Sequence, residues 1–233
     1  MLVRHVWALV FRILLLATAL YLFISDSGRL DFTIMPKYAV DRLFFLTIWI
    51  TLAVGMLYRL FPNKSIAMGA RKHFGISNSA EYNLDDIREK LRRLNKRACF
   101  LALIWVMFNA AVFFVLFLLD RLTPAAAIVI VLIYAVCDLA FILFFCPFQM
   151  FFMRNRCCVE CRIYNWDYIM ICTPLVFFPH IYSLSLIILA LAVLLRWEAA
   201  VYKKAHLFIA ETNKNLSCAR CKDQLCRLRR IST

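Results

Sequence analysis

Glycine and histidine are scarce here, with four of each in 233 residues. That leaves no glycine-rich phosphate cradle of the P-loop or G-x-G-x-x-G kind. H-E-x-x-H and G-x-S-x-G are also missing, so the common zinc-protease and serine-hydrolase frameworks are excluded. No two histidines fall at matching depth in facing apolar runs, which argues against bis-histidyl haem. No internal repeat is evident, which weakens an inverted-repeat transporter reading. Acidic residues are few as well. Fourteen Asp and Glu stand against 28 Lys and Arg, a formal net charge of +14.

What is abundant is apolar sequence. Hydrophobic residues make up 64% of the chain, and mean hydropathy is +0.75. Soluble domains are about 45–50% apolar, and disordered chains less still. The composition therefore predicts an all-α, polytopic membrane protein. A membrane-spanning helix needs about 20 apolar residues. The runs that qualify are Val6–Ile24, Leu43–Phe61, Ala98–Leu119, Pro124–Phe152 and Tyr168–Leu195. The first is too long for a signal-peptide core and is interrupted by Arg12, so it reads as a span. The last is too long for one crossing and contains Pro174, Pro179 and His180. Proline breaks helices, so this run reads as a hairpin, with helix five over Asn165–Phe178 and helix six over Ile181–Lys203.

The charges follow the same division. Basic residues crowd the 62–97 loop, the 154–164 loop and the tail from Arg196. With Arg4, that face carries net +14 and the opposite face is neutral. Arg12, Arg59, Asp138 and Asp167 lie within or at the edges of spans and cancel. The positive-inside rule places the basic face in the cytoplasm. Alternation holds only if Tyr168–Leu195 crosses twice, so six spans are expected, with both termini cytoplasmic, in a bacterial inner membrane. Residues 1–153 would form spans one to four, and 154–233 the hairpin with its flanking cysteine-rich segments. The surplus charge is explained by topology, so no nucleic-acid partner is expected. Asn83-Leu84-Asp85-Asp86 opens a basic amphipathic helix at about 84–97, with an N-cap and first-turn acids. Such a helix suits anionic lipid headgroups or simple solvation.

Ten cysteines are present. Cys157, Cys158 and Cys161 fall in one cytoplasmic loop, and Cys218, Cys221 and Cys226 in the tail. Cys158/Cys161 and Cys218/Cys221 are C-x2-C pairs. Two such knuckles on a reducing face supply four thiolates for a tetrahedral site, with zinc as the leading metal. The hairpin between them would return the chain to its starting face and close the site. Nearby Arg154, Arg156, Arg162, Arg220 and Lys222 favour the thiolate form. Cys157 and Cys226 are spare or alternative ligands. An iron–sulfur cluster uses the same ligand type, and the vicinal Cys157-Cys158 dithiol suits soft metals. Metal-free thiols and thiol–disulfide chemistry are the competing readings. Cys99, Cys137, Cys146 and Cys172 lie in spans and read as packing residues.

Ionisable residues at membrane depth are costly and informative. Asp138 in span four and Arg12 in span one are expected to pair, as a bridge between helices or a proton relay. Asn109 is positioned to join them. At the mouth of the hairpin, Asn165-Trp166-Asp167 reads as a helix start, with Asn165 as N-cap and Asp167 paired to Arg162 or Arg196. Glu198, next to Trp197, lies near the end of helix six. Three classes of function follow: a structural or binding module with a thiolate staple, a soft-metal handler, or a membrane redox or lipid-modifying enzyme.

Overall fold

The computed structural model describes residues 2–34, 38–61, 73–74, 84–153, 161–209 and 212–216. Among them every regular element is helical. Five helices are long and apolar enough to cross a membrane: α1 (Leu2–Ser25), α2 (Ala39–Leu60), α3 (Leu84–Leu118), α4 (Pro124–Leu143) and α6 (Ile181–Lys203). Between the last two lies α5 (Asp167–Cys172), a short helix that tightens into a 3-10 turn over Thr173–Phe177.

Local chemistry sets these boundaries. Thr123 caps α4 by accepting from the Ala126 amide, and Pro124 follows at the first helical position. There its missing N–H costs no hydrogen bond. His180 caps α6 in a reciprocal box. Its ring accepts from the Tyr182 amide at 3.3 Å, and its own amide donates to Ser183 Oγ at 2.9 Å. That box follows directly on Pro179, so the start of α6 falls where the sequence places it.

Three expectations are corrected. The apolar run Pro124–Phe152 is not one helix. The α-helix ends at Leu143, and a π-helical turn covers Phe148–Met153. Pro147 is the cause, since it lacks a donor and restricts the residue before it. Helix five is shorter than Asn165–Phe178, because Arg162–Asn165 forms a separate 3-10 turn. Asn165 is buried in that turn and is not the N-cap of α5. The cap position is Trp166, without a side-chain cap bond. The amphipathic segment at 84–97 leads into span three, and the two form one unbroken helix. The resulting 35-residue α3 is about 52 Å long at 1.5 Å per residue, far more than a hydrocarbon core requires.

The core centres on α4. Half of its span is buried, against 17% for α3. Ala125, Ile128, Leu132 and Ala135 pack with Leu15, Ala19 and Leu22 of α1. Small residues at the contact let the backbones approach closely, which drives association inside lipid. By contrast, α3 meets its neighbours through large rings. Phe113 stacks on Phe177 at 4.1 Å, and Trp105 meets Tyr134 at 4.8 Å.

The two ends of the bundle differ. Phe32, in the α1–α2 connection, contacts Phe178, His180 and Tyr182, and the Tyr182 hydroxyl donates to the Phe45 carbonyl at 3.2 Å. At the other end, Trp197 Nε1 of α6 donates to the Arg59 carbonyl of α2 at 3.1 Å. So α2 and α6 run side by side in the same direction. Asp167 at the start of α5 sits with Arg59, and Phe178 beyond its 3-10 turn sits with Phe32.

Candidate functional site

Three buried or half-buried ion pairs gather toward the Arg59 end of the bundle. Arg12 of α1 donates to the Ala135 carbonyl at 2.6 Å and lies 3.5 Å from Asp138 of α4. Arg59 of α2 pairs with Asp167 of α5 and donates to the Tyr164 carbonyl at 2.9 Å. Its guanidinium also lies over the Tyr164 ring at 3.8 Å and near the Tyr168 ring at 5.3 Å. Arg162 grips Glu198 of α6 through its two terminal guanidinium nitrogens, and its Nε donates to Asn95 of α3 at 2.9 Å. Trp166 Nε1 adds a bond to Glu198 at 2.7 Å. In membrane interiors such groups must satisfy one another, because no water replaces a missing partner.

Placement of the expected residues is mixed. Arg12 and Asp138 are brought together. Asn109 joins their neighbourhood through Tyr134, whose hydroxyl donates to Asn109 Oδ1 at 3.1 Å. Asn109 itself donates to the Trp105 carbonyl one turn back. Asp167 pairs with Arg59 rather than Arg162 or Arg196, and Arg162 is taken by Glu198. Arg59 was therefore undervalued by the sequence. Its signal was an arginine inside an apolar run, cancelled in the count of span charges by Asp167.

Gly55 explains how Tyr168 reaches this cluster. A Cβ at Gly55 would collide with the Tyr168 hydroxyl. Glycine here permits the close approach of α5 to α2.

Beside the pairs lies an apolar pocket of about 350 Å³ between α3, α4 and α5. Trp105, Tyr134, Phe148 and Tyr164 line it, with Asp138 and Asp167 at its wall. Both carboxylates are already engaged by arginines, so the pocket presents an almost wholly hydrocarbon surface.

Of the cysteines proposed as ligands, Cys157, Cys158, Cys218, Cys221 and Cys226 lie outside the described residues. Cys161 is buried in a small cluster with Ala98, Leu101, Met153, Ile163 and Tyr164. Cys172 is buried, Cys137 and Cys146 are half-buried, and Cys99 is exposed. Among the described residues, no three His, Cys, Asp or Glu side chains are grouped to hold a metal. The described part of the tail folds back over the end of α6. His73 Nδ1 lies 3.1 Å from the Leu207 carbonyl, and its ring stacks on Phe208 at 4.4 Å.

In the α1–α2 connection, Arg29 forms a two-point pair at 2.6 and 3.1 Å with Asp41 in the first turn of α2. The Asp41 hydrogen bond raises the Arg29 pKa further. On α3, Arg93 bonds Glu89 and lowers its carboxyl pKa below the usual value.

Together these features define an all-α, multi-pass membrane protein. Comparison with protein-family models, curated proteins and solved structures gives no match.

Proposed function

We propose that the chain is a six-crossing structural or binding module of a bacterial inner membrane, closed on its cytoplasmic face by a thiolate zinc site. The reading rests on one observation. The segment from Asp167 to Phe178 joins the Arg59 end of the bundle to the Phe32 end. Along α2, the rise from Phe45 to Arg59 is about 21 Å. The short helix and its 3-10 turn cover about 19 Å, about 2 Å short of that distance, and Phe178 beyond them makes up the rest. The segment acts as a compact sixth crossing, with local thinning or flanking turns covering the remaining bilayer depth.

A returning hairpin puts both cysteine-rich segments on the basic, cytoplasmic face, and with it both termini. The Arg162–Glu198 pair supports that arrangement. It ties the residue after Cys161 to the helix that leads into the tail. The polar groups at this end are occupied by one another, which favours a structural role over proton transfer. The proposed ligands are Cys158, Cys161, Cys218 and Cys221, with Cys157 and Cys226 as alternates.

Metal analysis of the purified full-length protein tests the reading. One tightly held zinc per chain is expected, lost in Cys158→Ser and in Cys218→Ser but retained in Cys99→Ser. Retention of zinc in both ligand variants, or no metal at all, would overturn the staple. A brown protein containing iron and sulfide would assign the redox class instead. Readily exchanged soft metal that depends on Cys157 would assign metal handling.

A further inference from the structure

A second cavity, of about 770 Å³, opens between α3 and the end of α6 at the Arg59 end of the bundle. Its charged lining is all of one sign. Arg88, Arg92 and Lys96 come from α3 at four-residue intervals, and Lys203 from α6, with Asn95 and Tyr202 beside them. Four-residue spacing puts the three α3 cations in one row, about 6 Å apart along the axis. Among the described residues, no carboxylate lines the cavity. Of the acids on this part of α3, Glu89 is paired with Arg93, while Asp85 lies 3.6 Å from Arg88 itself in an exposed pair. Arg92, Lys96 and Lys203 form no ion pair among the described residues.

The depth of the cavity is set by the sequence. Lys96 and Arg97 are the last charges before the apolar run of α3, and Lys203 is the last residue of α6. The adjoining surface pairs Lys96 and Arg97 with Phe100, Phe151 and Phe152. Cations beside aromatic rings mark a membrane–water boundary. Ile87 and Leu91 supply an apolar floor. A solvated positive-inside helix would spread its charge outward. Here exposed cations from two helices line one concavity.

We infer that this cavity binds the headgroup of an anionic phospholipid, and that its four cations favour a lipid carrying two phosphates, such as cardiolipin. The phosphates would lie along the α3 row with Lys203 closing from α6, while the acyl chains remain in the bilayer. Basic pockets between membrane helices bind such headgroups by this charge match.

The test titrates detergent-purified full-length protein with cardiolipin, phosphatidylglycerol, phosphatidylcholine and inorganic phosphate, and reads bound species by native mass spectrometry. Cardiolipin is expected to bind most tightly and phosphatidylcholine least. The double variant R92Q/K96Q should weaken cardiolipin binding about thirtyfold, from two lost interactions of ordinary strength for a basic residue at a lipid surface. K90Q/K204Q removes the same charge outside the cavity and should change binding less than about threefold, the scatter expected for exposed charges. Equal losses in the two double variants would overturn the site in favour of net charge alone. No preference over phosphatidylcholine would overturn it outright. Displacement of cardiolipin by millimolar inorganic phosphate would show a free-anion site and contradict a lipid one. Unchanged melting of R92Q/K96Q in detergent separates lost binding from lost folding.

Discussion

The two ends of the bundle are closed by different physics. At the Phe32 end the closure is chiefly aromatic and capped: Phe32 against Phe178 and Tyr182, and a His180–Ser183 box beginning α6, with the Arg29–Asp41 pair beside them. At the Arg59 end it is ionic, with Arg12, Arg59 and Arg162 each joined to a carboxylate on another helix. Aromatic contacts lose stability in proportion to what is cut away. A buried ion pair does not behave that way, because the partner left behind carries an uncompensated charge. The ionic end should therefore be fragile to single changes and tolerant of paired ones.

The largest effect tests this directly. Arg59→Met strands Asp167 and should destabilise the protein by about 4 kcal/mol, read from thermal unfolding in detergent. Adding Asp167→Leu should restore most of that loss. If the double variant is as unstable as the single one, packing rather than charge holds this end. At the aromatic end, Phe32→Ala should cost about 3 kcal/mol. A second apolar substitution there should bring no recovery. Gly55→Ala pushes Tyr168 away from α2, with an expected loss of about 2 kcal/mol. A Tyr168→Phe background should relieve that loss, because the clash is with the hydroxyl. His180→Ala removes one side of the α6 cap and should cost about 1 kcal/mol. The smallest effect is expected outside the bundle. Glu89→Gln breaks a fully exposed pair with Arg93 and should leave the melting temperature unchanged at neutral pH. Because the Glu89 pKa is lowered in the folded chain, any contribution is present above its ordinary value and fades as pH falls.

The sequence revealed most where local chemistry decides. Helix α6 begins at Ile181 because Pro179 and His180 stop one segment and cap the next, and both are readable in order. Helix α4 was read too long because composition stays apolar past Leu143, and only Pro147 signals the break. The Arg12–Asp138 contact was legible because each is a lone charge deep in its run. The partner of Asp167 was not. Arg59, Arg162 and Arg196 all lie near its depth, and choosing among them depends on how each helix is rotated. Hydropathy does not encode that rotation. Gly55 carries part of the answer, since a lone glycine in a helix marks a close neighbour. The cysteine pairs are conspicuous in sequence, but the Cys161 thiol lies among apolar side chains, where spacing alone would not have placed it.

The central claim is that the chain turns at Pro179-His180 on the face opposite its tail. Ile181, which is 75% exposed, is the position to probe. In Ile181→Cys, a membrane-impermeant maleimide applied to intact spheroplasts should label this cysteine. Cys218 and Cys221 in the tail should react only after the membrane is opened and any bound zinc is chelated. Labelling of the tail from outside, with Ile181→Cys protected, would contradict six crossings and separate the two cysteine pairs across the membrane.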